Sequence, residues 1–499
     1  MSDIVILIGG TGAKVMESMV HMAACGLYGN RNLQIFFVDI EDTNGNHLAA
    51  VKSFNFYNES KQALNMSGTA MFKTTLERLS PELWNPLGKK HDVTIDEYFN
   101  RTAMDKESGM FFDTFFTKAE RDVKLDKGCL GHQNIGSVIM ATKMDLKGME
   151  PWKTVWERIQ QAMGGGSPDG ARVFLAGSVF GGTGAPGLST APAVIFQEVR
   201  DTFQKEDPGK LLSIGGFMAF PYFRFDDFES EKKLKAKAKN FVHKTKQAVE
   251  YYSQTESINR YSAVYMAGND VQAHIPEAVE GGPEQRNQPH FIELLGAIAL
   301  VDFINHPRPN STEFNISATE KYGVVGWNDL PLSEDSRQLV KKMIRFAFVF
   351  SGMYRPTLFD IKEGKTAETE AQWYKEFFHD KGLKVGDAKV EDILDKLDKY
   401  SKDFLLWLAY IHASSKRGAQ EQLQLVRYKF FSREVENEGK AELELLPDFS
   451  RDGFQSLIID GMYKKDLNSI WNLMCNKRGR DVSGEGLGAF VKALYNCME

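Results

Sequence analysis

The chain has 499 residues, enough for two or three cores of ordinary size. Its 42% hydrophobic and 26% charged residues are the usage of a soluble globular protein. Sixty-one basic against 67 acidic residues leave a formal charge of -6, which excludes a strong field for nucleic acid or an anionic membrane.

No stretch is long and apolar enough to span a bilayer. Met1-Ser2-Asp3 lacks the basic n-region and small-residue cleavage site of a signal peptide, so Ile4–Ile8 reads as a first core strand. Cys25, Cys129, Cys475 and Cys497 are scattered and never paired as C-x-x-C. That argues against a disulfide or metal framework and for a reducing cytoplasm.

In chain order, apolar runs predict strands at Ile4–Ile8, Leu33–Val38, Arg172–Ala176, Leu212–Phe220 and Ala263–Ala267. They alternate with helical patterns, the signature of an α/β doubly wound parallel sheet. Each ends in glycine or polar residues, where such a sheet opens its ligand crevice. Residues 45–127 are irregular and aromatic-rich and read as an elaboration of the domain. Ser230–Gln254 is lysine-rich with helical spacing, a solvated helix face. Pro289–Ile304 is largely apolar and predicts a helix buried on most sides. After Ser333 the pattern predicts helices at Arg337–Tyr354, Val390–Ala413 and Gln420–Phe431, with loops near Gly364 and Gly386.

Two glycine runs follow predicted strands. Gly177-Ser178-Val179-Phe180-Gly181-Gly182-Thr183-Gly184-Ala185-Pro186-Gly187 precedes a helical run from Ser189. Glycines there let backbone N–H groups approach an oxyanion, and the helix N-terminus favours negative charge. Gly9-Gly10-Thr11-Gly12-Ala13-Lys14 follows the first strand. It is a poor dinucleotide fingerprint, because Val15 stands at the third glycine position, and its spacing to Lys14 is not that of a P-loop. A phosphate-binding turn fits it better; a tight strand–helix turn without ligand is the alternative. Asp39, Glu41 and Asp42 close the second strand, where acids reach a ribose hydroxyl, hold Mg²⁺ through water, or serve only as turn residues.

These residues carry a resemblance. Val38-Asp39-Ile40-Glu41-Asp42-Thr43 resembles the tubulin sequence Val-Asp-Leu-Glu-Pro-Thr, and Gly181-Gly182-Thr183-Gly184 is similar to the tubulin/FtsZ glycine signature, with Phe180 in place of its first glycine. Gly128–Gly136, Phe220–Asp226 and Tyr265–Asp270 resemble further FtsZ loops in the family's order. The resemblance covers roughly residues 1–335.

It implies a tubulin/FtsZ-like Rossmann-type GTPase domain over 1–275, with 45–127 inserted, a central helix within 276–310, and a mostly helical C-terminal domain over 311–499. It implies GTP or GDP with Mg²⁺ as ligands. Gly10, Thr11, Gly12 and Lys14 would surround the α- and β-phosphates, and Gly181, Gly182, Thr183 and Gly184 the β- and γ-phosphates. Glu41 would hold Mg²⁺ through water with Asp39 nearby. The loop from Gly131, with Asn134, would sense the γ-phosphate; Asp226 would face the ribose, and Asn269 and Asn287 would read guanine. The family's second domain carries an acidic loop that completes the next subunit's active site; here the corresponding acids are Asp329, Glu334 and Asp335. They equally suit a turn followed by a helix N-terminus.

The leading expectation is a GTPase that self-associates head-to-tail into a filament or dimer, with the C-terminal domain free for partner proteins. The alternative is a GTP-dependent switch or scaffold with slow or no hydrolysis. A Rossmann oxidoreductase accounts for one glycine turn and leaves Gly177–Gly187 unexplained.

Overall fold

The computed structural model describes residues 2–41, 44–66, 68–88, 92–129, 131–165, 170–204, 207–225, 240–269, 272–275, 282–306, 312–316 and 325–414. Beyond these it describes 416–417, 420–421, 423–426, 430–437, 440–447, 449, 453–454, 457–459, 463–476 and 486–499.

Seven strands form one parallel sheet: β1 (Ser2–Ile8), β2 (Asn32–Val38), β3 (Thr75–Arg78), β4 (Ala171–Ser178), β5 (Leu212–Ala219), β6 (Ala263–Ala267) and β7 (Glu313–Ile316). Their spatial order is β3-β2-β1-β4-β5-β6-β7. Connections leave β1 toward one edge and β4 toward the other, so the strand order reverses between these neighbours, the Rossmann-like switch point. Ile4 to Ile8 are buried throughout, as expected for a parallel strand covered on both faces.

Between and after these strands the chain forms helices α1 (Gly9–Cys25), α2 (Gly45–Leu64), α3 (Gln133–Lys143), α4 (Trp152–Gly164), α5 (Gly184–Thr202), α6 (Phe241–Gln254) and α7 (Phe291–Asn305). One core joins Ile4, Ile6 and Ile8 to Trp152 and Ile159 of α4 and Leu188 and Ile195 of α5. Here Phe36 and Trp152 meet edge-on at 4.8 Å. On the other side α7 lies close to α1 and β5, since a methyl on Gly296 would come within 2.9 Å of Val15 and 2.8 Å of Phe217. The carbonyls at the end of α7 are met by two guanidinium groups: Arg31 donates to Ile304 O at 2.6 Å, and Arg172 to Phe303 O and His306 O.

One expectation for the first half changes. Within 45–127 the chain forms α2 and the edge strand β3, both regular parts of the fold. Of the lysine-rich segment, 230–239 lies outside the described residues; α6 buries Phe241, Thr245, Ala248 and Tyr252 on one face and exposes His243, Lys246, Gln247 and Glu250, a solvated face as expected.

The chain divides into two compact units. The first comprises Met1–Met19, Asn30–Val51 and Thr75–Ser317, so it runs past 275 and contains α7 and β7. The second comprises Val20–Gly29, Lys52–Thr74 and Ala318–Glu499. It is mostly helical, with α8 (Glu334–Val349), α9 (Ala388–Ala413) and α10 (Gly486–Asn496). A π-helical turn, Phe350–Tyr354, carries α8 into a further helix, Arg355–Lys362. Trp373, Trp407 and Tyr354 are fully buried in this unit. The helix expected over Gln420–Phe431 is not formed: Gln420–Glu421, Leu423–Gln424 and the start of Phe430–Asn437 are strands. Among the described residues no helix is long and apolar enough to cross a membrane.

Candidate functional site

The two glycine turns leave the sheet side by side, one after β1 and one after β4, at the switch point. Gly9 turns the chain with φ +71°, and a methyl on it would lie 3.5 Å from Thr183 Cβ and 3.6 Å from Gly184 N. The run contains two kinds of glycine. Gly12 is there for packing, since a Cβ would strike Ala176 O and Leu7 C at 2.8 Å. Gly9, Gly10, Thr11 and Gly181 stay partly exposed, and for the three glycines that exposure is backbone.

Gly182 faces inward. A side chain on it would meet Cys129 Cβ at 2.7 Å and Gly131 N at 3.1 Å. A side chain on Gly136 of α3 would collide with Gly182 O. Gly131, Gly136 and Gly182 therefore bring Cys129, Gly131 and the first turn of α3 directly against the Gly181–Gly184 turn.

At the end of β2, Asp39 is buried and accepts a hydrogen bond from Thr183 Oγ1 at 3.1 Å and from Ile40 N at 2.8 Å. Thr183 is the residue before α5, and its hydroxyl is used across the sheet end instead of capping its own helix. Burial, and then the neighbouring Glu41 charge, hold the Asp39 carboxyl well above the ordinary carboxylate range. Glu41 accepts from Asn44 Nδ2 at 2.8 Å and from Gly282 N. Asn44 also donates to Gln285 Oε1 at 2.8 Å, and Asn46 Oδ1 accepts from Asn287 N at 2.9 Å. A methyl on Gly10 would sit 3.3 Å from Asn46 Nδ2. Asn44 and Asn46, which the sequence reading passed over, thus tie the 282–287 segment to the first glycine turn.

Other expected residues have different employment. Lys14 is buried in an ion pair with Glu293 of α7, which also accepts from Tyr222 Oη and His290 N at 2.7 Å each. The expectation that Lys14 faces the phosphates is corrected to that extent: its ammonium is turned to Glu293 in the core. Asn134 donates to Glu120 Oε1 at 3.0 Å and Phe115 O at 3.2 Å. Asn269 follows β6, its backbone N–H donating to Pro221 O at 3.3 Å. Asp226 lies outside the described residues. In the second unit, Asp329 Oδ2 accepts from Gly326 N at 2.6 Å. There Ser333 caps α8, and Glu334 and Asp335 form its first turn. Glu334 accepts from Arg337 and Gln338.

A cation that the sequence reading assigned to a solvated face belongs to the site. Lys244 of α6 donates to Gly131 O at 2.6 Å and is partly withdrawn from water, which lowers its pKa against the opposing pull of Glu120. Its signal, one lysine among several on a helix, was too common to single out.

No family model matches the chain, and no curated protein matches it. The site therefore stands on its geometry: backbone amides and a helix N-terminus at a switch point, a buried carboxylate beside them, and a lysine of α6 bound to the carbonyl of Gly131. Amides and lysine suit an oxyanion. The Asp39 carboxyl, raised first by burial and then by Glu41, suits a divalent cation that would relieve the mutual repulsion of the two acids. Among the described residues no three His, Cys, Asp or Glu side chains could hold a metal by themselves. Oxygens from a bound anion would complete such a coordination sphere, the usual arrangement for Mg²⁺.

Proposed function

We propose that this chain binds a guanine nucleotide with Mg²⁺ as a tubulin/FtsZ-like protein, and that GTP hydrolysis is coupled to head-to-tail self-assembly. The supporting observation is the meeting of the Gly9–Gly12 and Gly181–Gly184 turns at the β1/β4 switch point, with Asp39 at the end of β2. The accessible backbone of Gly9, Gly10 and Gly181, with Thr11 of the first turn, would cradle phosphate oxygens. Asp39 directly, and Glu41 through water, would hold the cation, which when bound neutralises phosphate charge. Lys244 would add positive charge beside Gly131, near the terminal phosphate. Asn269 and Asn287 are read as the guanine contacts, since an amide offers both donor and acceptor.

One observation favours the second reading, a non-polymerising switch with slow or no hydrolysis. Asn134, Asp329 and Glu334 are each engaged in local hydrogen bonds. Calorimetry with GTP, GDP, ATP and NAD, with and without Mg²⁺, tests the ligand. GTP and GDP should bind at least tenfold more tightly than ATP. Equal affinities for GTP and ATP would remove the base-reading claim, and preferential NAD binding would replace the nucleotide class.

A further inference from the structure

The helix Lys106–Phe115 exposes Met110, Phe111 and Phe115 at 63, 67 and 54%. Fraying does not account for this. Asp105 caps the helix through the amides of Glu107 and Ser108, Phe112 anchors it inward against Phe99 and Phe116, and Asp113 pairs with Arg101 and Arg121. The rings of Phe111 and Phe115 pack together at 4.7 Å.

Phe111, Phe112 and Phe115 of this helix border an open cavity of about 630 Å³ that also takes in Phe99, Met104 and, from α3, Val138. That volume and apolar lining are those of a small-molecule site. Among the described residues that line it, Glu107 is the only charged one. Aromatic faces and a lone carboxylate attract the same kind of ligand end, a cation. We propose that the cavity binds a small amphiphilic cation, with its aromatic or alkyl body among Phe99, Met104, Phe111 and Phe115 and its ammonium group at Glu107. The proposal does not depend on the nucleotide site.

The test uses the full chain without nucleotide and two dyes of matched body and opposite charge, dansylcadaverine and dansyl-6-aminohexanoate. Dansyl emission should rise saturably with one dyad of dye and chain, and the cationic dye should bind at least tenfold more tightly. Glu107→Gln should narrow that preference to under threefold. The double variant Phe111→Ser/Phe115→Ser alters two exposed rings, so its far-UV circular dichroism should match the parent while dye affinity falls at least tenfold. Equal affinity for the two dyes, or unchanged binding by either variant, overturns the proposal. So does a parent dimer that becomes a monomer in the double variant without dye competing for the dimer, since the face would then serve self-association.

Discussion

Asp39 is a carboxylate held where its charge is costly. Its pKa is raised from the ordinary 3.8 to about 7 by burial and by Glu41, so between those two values the folded chain retains a proton that the unfolded chain has lost. Its contribution to stability is therefore complete below the unfolded value and is lost as pH rises through the raised folded value. Without divalent cation or nucleotide, Asp39→Asn should be more stable than the parent at pH 8, and the gain should shrink as pH falls toward 4. Urea midpoints across that range check it; parallel pH profiles for the two proteins would contradict it. The asparagine keeps an oxygen for the Thr183 hydroxyl, so the comparison isolates the charge. With Mg²⁺ and GTP present the order should reverse, because the parent alone then supplies the negative ligand.

Among the elements, α1 and α7 are joined by Lys14 and Glu293, a pair with side chains only 5% and 0% exposed. Removing one partner strands the other charge in the core, at a cost of about 3–5 kcal/mol. Lys14→Met should lose stability on that scale, and Lys14→Met/Glu293→Gln should regain a large part of it, as read from denaturant midpoints. A double variant no more stable than the single one would show that the methionine fails to pack. The same pair marks the limit of reading from sequence. A lysine following a glycine turn suggested a phosphate contact, because nothing local reveals a carboxylate delivered by a distant helix. The five expected strands were legible because a parallel strand buried on both faces is a continuous apolar run. By contrast, α2 mixes polar and apolar residues around its circumference, and β3 is the polar edge segment Thr75–Arg78, so neither announced itself. At Leu423–Gln424 the signal was present and misread: Leu423 and Leu425, both buried, flank Gln424 with the period of a strand. Within the site, the glycine turns were legible by composition, whereas Asn44, Asn46 and Lys244 acquire meaning only from what the fold brings beside them.

For the whole molecule, the acids of the second unit decide between the two functional readings. If Asp329, Glu334 and Asp335 act on a neighbour's nucleotide, GTP turnover per chain should rise with protein concentration, and Asp329→Ala should slow it at least tenfold with GTP affinity unchanged. Phosphate release measured alongside sedimentation checks both. Turnover independent of concentration where the chains associate, or normal turnover in a variant lacking all three acids, would favour the switch. The division of the chain also has a consequence for its synthesis. Val20–Gly29 and Lys52–Thr74 belong to the compact unit completed by residues 318–499, although they are made first. They leave the ribosome a long interval before the helices that bury them, at a chain growth of about 5–20 residues per second. During that interval Tyr28 and Tyr57, fully buried in the finished protein, have no core to enter. The order of translation thus leaves apolar parts of α1 and α2 uncovered until late, a natural point for a chaperone to hold the nascent chain.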